Sequence, residues 1–301
     1  MAVLVYGDVM LDKYIDGTVH RISPEAPVPI VHVHNEYYTA GGCGNVSKGI
    51  AALQVHNIVV SCIGNDANGT QLTAALKHTY TTLSTIVHKL PTTTKVRIVS
   101  AKHQLLRYDV EAIQEPTKSI TNALKKVIAN TTYNIAVLSD YGKGLCTHEL
   151  CQYIIQNSIS KKAKVLVDPK CTDWSRYSGA YLISPNFKEF TAALGHTIPN
   201  TNDAIAQAAK ELIAKYNINN ILITRSHLGM SMVSNSTTLH IPTVAKEVYD
   251  VTGAGDTVIA TIAALLHQKV PLIKAVQKAN KAAAIAVAHF GTYAVSKQDL
   301  L

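Results

Sequence analysis

Residues 250–256 read Asp-Val-Thr-Gly-Ala-Gly-Asp and run directly into an apolar stretch at 258–266. Gly253 and Gly255 let the backbone turn tightly at the start of a helix, where successive N–H groups can converge on an anion. Asp256 is expected in the first turn beside that anion. We expect it to deprotonate a hydroxyl while the loop amides hold the charge of a transferred phosphoryl group. The alternative is an Asp that only caps a helix after a glycine-rich turn.

The composition of the 301-residue chain, with 47% hydrophobic and 16% charged residues, is that of a folded globular protein. Its length accommodates one large domain with an appended subdomain, or two smaller domains. No segment is an uninterrupted apolar run of membrane length, and the first seven residues carry no basic leader. We therefore expect no membrane span and no signal peptide, and a cytoplasmic protein.

Cysteine usage and charge narrow the kinds of site that the chain can hold. The 5 cysteines are odd in number and form no CxxC pair, which argues against a disulfide framework and a zinc site. The formal net charge of +8 is compatible with a nucleic-acid partner, but the lysines are spread along predicted helices. A basic pocket for phosphorylated small molecules explains the charge equally well, and we expect no nucleic-acid partner.

Short β-branched runs alternate with helical stretches along most of the chain. This alternation predicts an α/β fold with a central, mostly parallel β-sheet and helices on both faces. Ligands of such sheets collect at the C-terminal ends of the strands. The predicted strands are 2–6, 57–63, 135–138, 164–167, 180–183 and 220–223, and the predicted helices are 45–53, 71–78, 119–130, 148–157, 204–216 and 273–289.

Two segments, 14–39 and 92–109, break this alternation and have the pattern of β-ribbons. Three prolines in the first segment argue against a place in the middle of a sheet. We expect the two segments to form a small β-sheet that acts as a lid, with free edges that favour pairing with a second subunit. No repeat or low-complexity linker is visible, so the lid is expected to be an excursion from a single domain, 1–301.

A second glycine-rich turn, Gly41-Gly42-Cys43-Gly44-Asn45-Val46-Ser47, opens another predicted helix. Its glycines allow the backbone to approach a ligand closely, and Asn45 offers donors and an acceptor suited to sugar hydroxyls. Taken alone, the turn is equally well the start of a helix with an Asn in its first turn.

Together, this turn and the Asp256 loop resemble the two signatures of the ribokinase-like, or PfkB, carbohydrate kinases, and the resemblance spans the chain. The first signature expects the glycine found at Gly64, whereas Gln54 stands where it expects Gly or Ser. Further stretches resemble the D-glycero-β-D-manno-heptose-7-phosphate kinases of lipopolysaccharide core synthesis. These stretches are 7–12, 21–29, 92–95, 104–107, 139–144 and 167–170.

The same resemblance has two departures that bear on domain organisation and local structure. In many bacteria the heptose kinase is fused to a nucleotidyltransferase with an HxGH motif, and this chain ends at Leu301 without one. The chain therefore resembles the kinase-only form or an isolated kinase domain. Cys171 replaces the glycine that usually follows Asp-Pro-Lys, which removes no catalytic group.

The resemblance implies a role for each matching residue. The catalytic residues it implies are the base Asp256 and the anion hole Gly253, Ala254 and Gly255. The residues it implies for binding sugar hydroxyls are Asp12, Gly42 and Asn45. The residues it implies for binding the nucleotide are Asn186, Glu189, Thr224, Gly229 and Asn280, together with Gly253 and Gly255. Ser226 stands where members commonly have Gly. Asp250 is expected to be a structural or monovalent-cation residue, with K⁺ as the ion, because it precedes the anion loop.

The Asn-x-x-Glu motif at Asn186 and Glu189 is associated in the family with Mg²⁺ and phosphate placement, through water. The alternative is a helix start whose first-turn Glu is favoured by the helix dipole.

A heptose phosphate needs cations, and the expected ones lie in the lid and at strand ends. They are Lys95, Arg107, Lys143 and Lys170, with Asp140 and Asp168 orienting these cations or binding sugar. A lysine at a strand end is otherwise usually a solvated residue.

The resemblance implies ATP-dependent phosphorylation of the anomeric hydroxyl of D-glycero-β-D-manno-heptose 7-phosphate, with ATP and Mg²⁺ as cofactors. One alternative is a ribokinase-like kinase for another sugar or sugar phosphate. The other is a catalytically silent nucleotide-binding homologue, against which the intact Asp256, Asn186 and Glu189 set argues.

Overall fold

The computed structural model of the chain describes residues 1–101 and 103–300, so Lys102, within the second predicted ribbon, and Leu301 lie outside the described residues. The strands are β1 (Ala2–Gly7), β2 (Val9–Ile22), β3 (Pro29–Gly42), β4 (Asn57–Gly64), β5 (Thr81–His88), β6 (Thr94–Ser100), β7 (His103–Val110), β8 (Tyr133–Ser139), β9 (Lys164–Asp168), β10 (Leu182–Ile183), β11 (Asn220–Thr224), β12 (Met230–Ser234) and β13 (Thr238–Ile241). The helices are α1 (Cys43–Ala52), α2 (Ala67–Ala75), α3 (Lys118–Asn130), α4 (His148–Ser160), α5 (Phe187–Leu194), α6 (Asn202–Tyr216), α7 (Ala254–His267) and α8 (Leu272–Val287).

Nine of the described strands form one sheet in the order β13-β12-β11-β10-β9-β8-β1-β4-β5. The pairs from β5 through β11 are parallel, and β11, β12 and β13 pair antiparallel. The predicted mostly parallel sheet is therefore confirmed. Strands β5, β12 and β13 were not predicted. Strands β5 and β13 are edge strands whose side chains are mostly half-buried, so they lack the apolar run that marks a buried strand, and β12 contains only one β-branched residue.

Each face of the large sheet packs against its own layer of helices. Along β1, Val3 and Val5 face a core shared with α1, α7 and α8, whereas Leu4 and Tyr6 face a core shared with α3, α4 and α6. Helix α7 is buried around almost its whole circumference, which explains the unbroken apolar run at 258–266. This burial fixes the N-terminus of α7, where Asp256 lies.

The two predicted ribbons form one four-stranded sheet in the order β3-β2-β6-β7. Strands β2 and β3 pair antiparallel, as do β6 and β7, and β2 joins the two ribbons by parallel pairing with β6. The first ribbon is longer than predicted, since β2 begins at Val9 and β3 ends at Gly42, whereas the second spans 94–110 against the predicted 92–109. Only Asp8 separates β2 from β1, so the small sheet grows directly from the centre of the large one.

Candidate active site

The carboxylate of Asp256 is buried where the N-terminus of α7 meets the C-terminal edge of the large sheet. Its side chain is in the first turn of α7, and the residue is 6% exposed. Asn45 Nδ2 donates to Oδ2 of Asp256 at 2.7 Å, and the Tyr141 hydroxyl donates to Oδ1 at 2.7 Å. The structure thus brings the two glycine-rich turns together, and it adds Tyr141, which the sequence reasoning did not assign.

The surroundings of Asp256 make it a stronger base than a free aspartate. Burial raises its pKa to about 6, the hydrogen bonds from Asn45 and Tyr141 oppose the rise, and the charge of Asp12 adds to it. A carboxylate with such a pKa remains charged at neutral pH and accepts a proton more readily than an exposed one.

The turn before α7 has the geometry that an anion hole needs. Gly253 has a φ of 75°, in the left-handed region, and a Cβ there would lie 2.6 Å from Asn45 Nδ2. The amide of Ala254 donates to the carbonyl of Val251 at 3.2 Å, so it serves the turn itself. Among the described residues, no backbone or side-chain acceptor contacts the amides of Gly255 and Asp256, as expected in the first turn of a helix. These amides lie at the exposed residue Gly255 and the residue after it, and are therefore available to an anion.

The predicted sugar-hydroxyl positions line the same corner. Asp12 is buried on β2, and Arg97 of β6 donates to its Oδ1 at 2.5 Å. Gly42, the last residue of β3, has a φ of 61°, and a Cβ there would collide with the carbonyl oxygen of Asp8. Arg97 was missed by the sequence reasoning, although it lies two residues after Lys95 on the same face of β6.

Asp140 directly follows β8, and Asp168 is the last residue of the neighbouring strand β9. The carboxylate of Asp140 accepts the Tyr177 hydroxyl at 2.5 Å and the Gly142 amide at 2.7 Å, so it builds the loop after β8. Burial, followed by the charges of Asp256, Glu189 and Asp140, raises the pKa of Asp168 well above its ordinary value. Burial and these neighbouring negative charges therefore favour the neutral form of Asp168.

Each of the four predicted phosphate-binding cations has a carboxylate partner. Lys95 and Arg107 both contact Asp109, at 2.9 and 3.0 Å, and Lys143 contacts Glu111 at 2.5 Å. Because Asp109 and Glu111 are two residues apart, these three cations gather at the end of β7. Lys170 instead lies 3.6 Å from Glu189, one of the predicted nucleotide residues.

The predicted nucleotide residues lie along β11, α5 and α8. Asn186 and Glu189 form a capping box at the start of α5, and Asn186 bridges to Thr224 at the end of β11. Ser226, at a position where the family commonly has Gly, has a φ of 54°, which explains that preference. Gly229 has a φ of 82°, and a Cβ there would collide with the backbone of β13.

A cavity of about 840 Å³ lies between α8 and the segment after β13. Asn280 lies on its wall and donates to the carbonyl of Pro242 at 2.8 Å. The lining alternates apolar side chains, such as Ile241 and Ile285, with Lys and Gln side chains, as suits a purine ring with polar edges.

Asp250 holds in place the segment before the anion turn, which is the glycine-rich turn 253–255 at the start of α7. Its Oδ1 accepts the Thr252 amide at 2.9 Å and its Oδ2 accepts the Gly291 amide at 3.0 Å. These hydrogen bonds fit the structural role, which is one of the two roles expected for Asp250 from the sequence.

Within residues 1–101 and 103–300 there is no cluster of three or more His, Cys, Asp or Glu side chains arranged to hold a metal ion, and no helix long and apolar enough to cross a membrane.

The sequence of the chain is similar to the sequences of curated bifunctional proteins. The bifunctional protein HldE of Actinobacillus pleuropneumoniae serotype 5b (strain L20) is 43% identical over 302 residues, which cover 99% of the chain and 62% of that protein. The bifunctional protein HldE of Shewanella sediminis (strain HAW-EB3) is 41% identical over 303 residues, with the same coverage. The chain thus spans 62% of the length of these curated relatives.

Solved structures share the fold along the whole chain. Phosphofructokinase-2 from Escherichia coli in complex with potassium gives a TM-score of 0.84 at 18% identity, covering 100% of this chain and 96% of that one. Ribokinase from Arabidopsis thaliana complexed with ribose and ATP gives 0.76 at 19% identity, covering 100% and 98%. The family description pfkB family carbohydrate kinase matches residues 2–299. With a buried Asp256 at the anion turn and this match over nearly its full length, the chain belongs to the pfkB family of carbohydrate kinases.

Proposed function

We propose that the chain transfers the γ-phosphoryl group of ATP to the anomeric hydroxyl of D-glycero-β-D-manno-heptose 7-phosphate, giving the 1,7-bisphosphate and ADP. The observation that carries the proposal is the buried carboxylate of Asp256, held by Asn45 and Tyr141 beside the free amides of the anion turn. The choice of sugar rests on the identity of about 40% with HldE proteins over 99% of the chain.

In this proposal Asp256 accepts the proton of the attacking hydroxyl. Its pKa of about 6 keeps it charged at neutral pH, and an anomeric hydroxyl is more acidic than other sugar hydroxyls. The amides of Gly255 and Asp256 stabilise the charge on the transferred group. Because the transition state of phosphoryl transfer is loose, positioning by Asn45 and Asp12 contributes more than basicity.

The nucleotide side of the site fits ATP with a divalent ion. The cavity beside Asn280 is proposed to receive the base, with Thr224 at the end of β11 and Gly229 before β12 on the side of the phosphates. Asn186 and Glu189 fit Mg²⁺ through water, since the capping box leaves the second carboxylate oxygen of Glu189 for Lys170 or for a hydrated ion. Bound Mg²⁺ neutralises phosphate charge. Asp250 is the proposed carboxylate of a K⁺ site, beside its structural role.

The 7-phosphate is proposed to bind the cations gathered at the end of β7. Lys95, Arg107 and Lys143 are held there by Asp109 and Glu111, and a phosphate dianion competes with these carboxylates for them. Arg107 is the most exposed of the three and is free to turn toward a ligand. Lys170 serves this role only if the sugar phosphate extends toward α5.

We also propose a cytoplasmic, single-domain kinase that forms a homodimer through the four-stranded lid sheet. Several large apolar side chains are exposed on that sheet, among them Val33, Leu106 and Tyr108. Both β3 and β7 are edge strands with unpaired backbone groups, which favours pairing or packing with a second copy.

The experiment that tests the proposed reaction incubates the purified chain with ATP and heptose 7-phosphate and identifies the product by ³¹P NMR and mass spectrometry. We expect a new anomeric phosphate signal and one ADP per bisphosphate. A panel of other sugars and sugar phosphates is the control. Faster turnover of another panel member favours the kinase alternative, and no turnover of any member favours a silent nucleotide-binding homologue.

A further inference from the structure

The loop that follows β8 presents a tyrosine hydroxyl to the buried carboxylate of Asp256. The Tyr141 hydroxyl donates to Oδ1, while Asn45 Nδ2 donates to Oδ2, so the carboxylate is held from opposite sides by two elements far apart in the chain. Asn45 is at the start of α1, where the resemblance already implies a role. No role was implied for Tyr141.

The backbone of Tyr141 is itself held in place by a second buried carboxylate. Asp8 lies between β1 and β2 and is 4% exposed. Its carboxylate accepts the amides of Tyr141 at 3.0 Å, Lys143 at 3.0 Å and Leu145 at 3.1 Å. Three amides that converge on one buried carboxylate define the backbone of the loop, and from this backbone the phenol reaches Asp256.

We propose that Tyr141 is a positioning residue for the proposed base, because its hydroxyl fixes the orientation of the Asp256 carboxylate and favours its charged form. The proposal rests on the proposed function only in naming Asp256 as the base. Tyr141 acts through Asp256 and needs no contact with the reacting atoms.

The ionisable and polar groups around Asp256 determine the sign of the expected effect. Asn45 of α1 and Tyr141 of the loop donate to it, Asp12 of β2 repels its charge, and Asp168 of β9 and Cys43 of α1 each have a pKa that is raised in part by its charge. Removing the Tyr141 hydroxyl removes one of the two donors to the charged form and leaves burial and Asp12 in place. The pKa of Asp256 then rises above about 6.

The test is the titration of the Asp256 carboxyl by ¹³C NMR in the full chain, with the resonance assigned by its loss in Asp256→Asn. In Tyr141→Phe we expect the midpoint to move to higher pH by about one pH unit, the size expected for one hydrogen bond to a charged group. The acidic limb of the kcat profile should move in the same direction. Tyr133→Phe is the matched control, since Tyr133 is also buried and its hydroxyl contacts Asn157 and Ser158, away from the site.

An unchanged midpoint in Tyr141→Phe, or an equal change in Tyr133→Phe, overturns the positioning role. If Tyr141→Phe does not fold, 3-fluorotyrosine at position 141 gives the opposite sign, because its phenol is a stronger donor and should lower the midpoint. An active Asp256→Asn variant rejects the proposed base and this role with it. An inactive Asp256→Asn variant with an unchanged midpoint in Tyr141→Phe rejects the positioning role alone.

Discussion

At the scale of the single residue, Asp256 is the proposed base, and its replacement by Asn tests proton transfer separately from substrate binding. The amide is nearly isosteric but cannot accept the proton, so we expect Asp256→Asn to keep the fold and nucleotide binding while turnover falls about 10²–10⁴-fold. Steady-state kinetics, calorimetric titration with ATP and a thermal melt measure the three properties. Retention of more than about a tenth of the wild-type rate would contradict the assignment.

The pH dependence of the wild-type reaction follows from the same carboxylate. Burial raises the pKa of Asp256 to about 6, so the base is charged above that pH and protonated below it. We expect kcat to fall on the acidic side with a midpoint near 6, well above the ordinary aspartate pKa of about 3.9. A profile that stays flat down to pH 4.5 would exclude Asp256 as the group that limits the rate, provided that the fold survives at that pH by circular dichroism.

The cations at the end of β7 are the residues proposed to determine which sugar is preferred. Replacing Lys143, Lys95 or Arg107 by Ala leaves one charge of the 7-phosphate without its partner, and we expect a loss of about ten- to a hundredfold in kcat/KM for heptose 7-phosphate. Unphosphorylated heptose, a poor substrate, should be little affected, so the preference collapses. Lys170→Ala is the comparison on the nucleotide side and should change the KM for ATP instead. If all four variants keep the full preference, the phosphate is bound elsewhere.

At the scale of the element, the N-terminus of α7 contains two glycines that are required for different reasons. A Cβ at Gly253 meets Asn45 at 2.6 Å on a backbone with positive φ, so Gly253→Ala should lose about 1–2 kcal/mol of stability and displace Asn45 from Asp256. A Cβ at Gly255 has no atom within 4 Å. Gly255→Ala should therefore fold normally and raise the KM for ATP, because its methyl group enters the space proposed for the phosphate. Equal melting temperatures for both variants would contradict the difference.

At the scale of the whole molecule, the lid sheet is the proposed contact between two subunits. Leu106 on β7 is 54% exposed, and Leu106→Lys should place a charge in that contact and shift the protein from dimer to monomer in light scattering. Ile159 on α4 is 57% exposed, so Ile159→Lys is a matched control on another surface. A wild-type protein that is monomeric at all micromolar concentrations would reject the dimer, and an equal effect of the two substitutions would reject the lid as its location.

The sequence by itself determined what depends on neighbours along the chain. The β-branched runs, the helical stretches and the glycine-rich turns are local patterns, so they predicted the mostly parallel sheet, the two ribbons and the anion turn that begins α7. Strands β5 and β13 were missed because edge strands are half-exposed and lack the apolar run of a buried one, and β12 was missed because it has only one β-branched residue. The single-domain organisation and the roles taken from the resemblance remain predictions.

Only the tertiary structure decided which side chains meet. Asn45 and Tyr141 are 211 and 115 residues from Asp256, and their contact with it exists because sheet order places β8 and the start of α1 beside the N-terminus of α7. The partners of the cations and the Asp8 contacts arise in the same way. A side chain's chemistry is set by its residue type, but its pKa and its hydrogen-bond partner are set by burial and by distant segments, which no local pattern specifies.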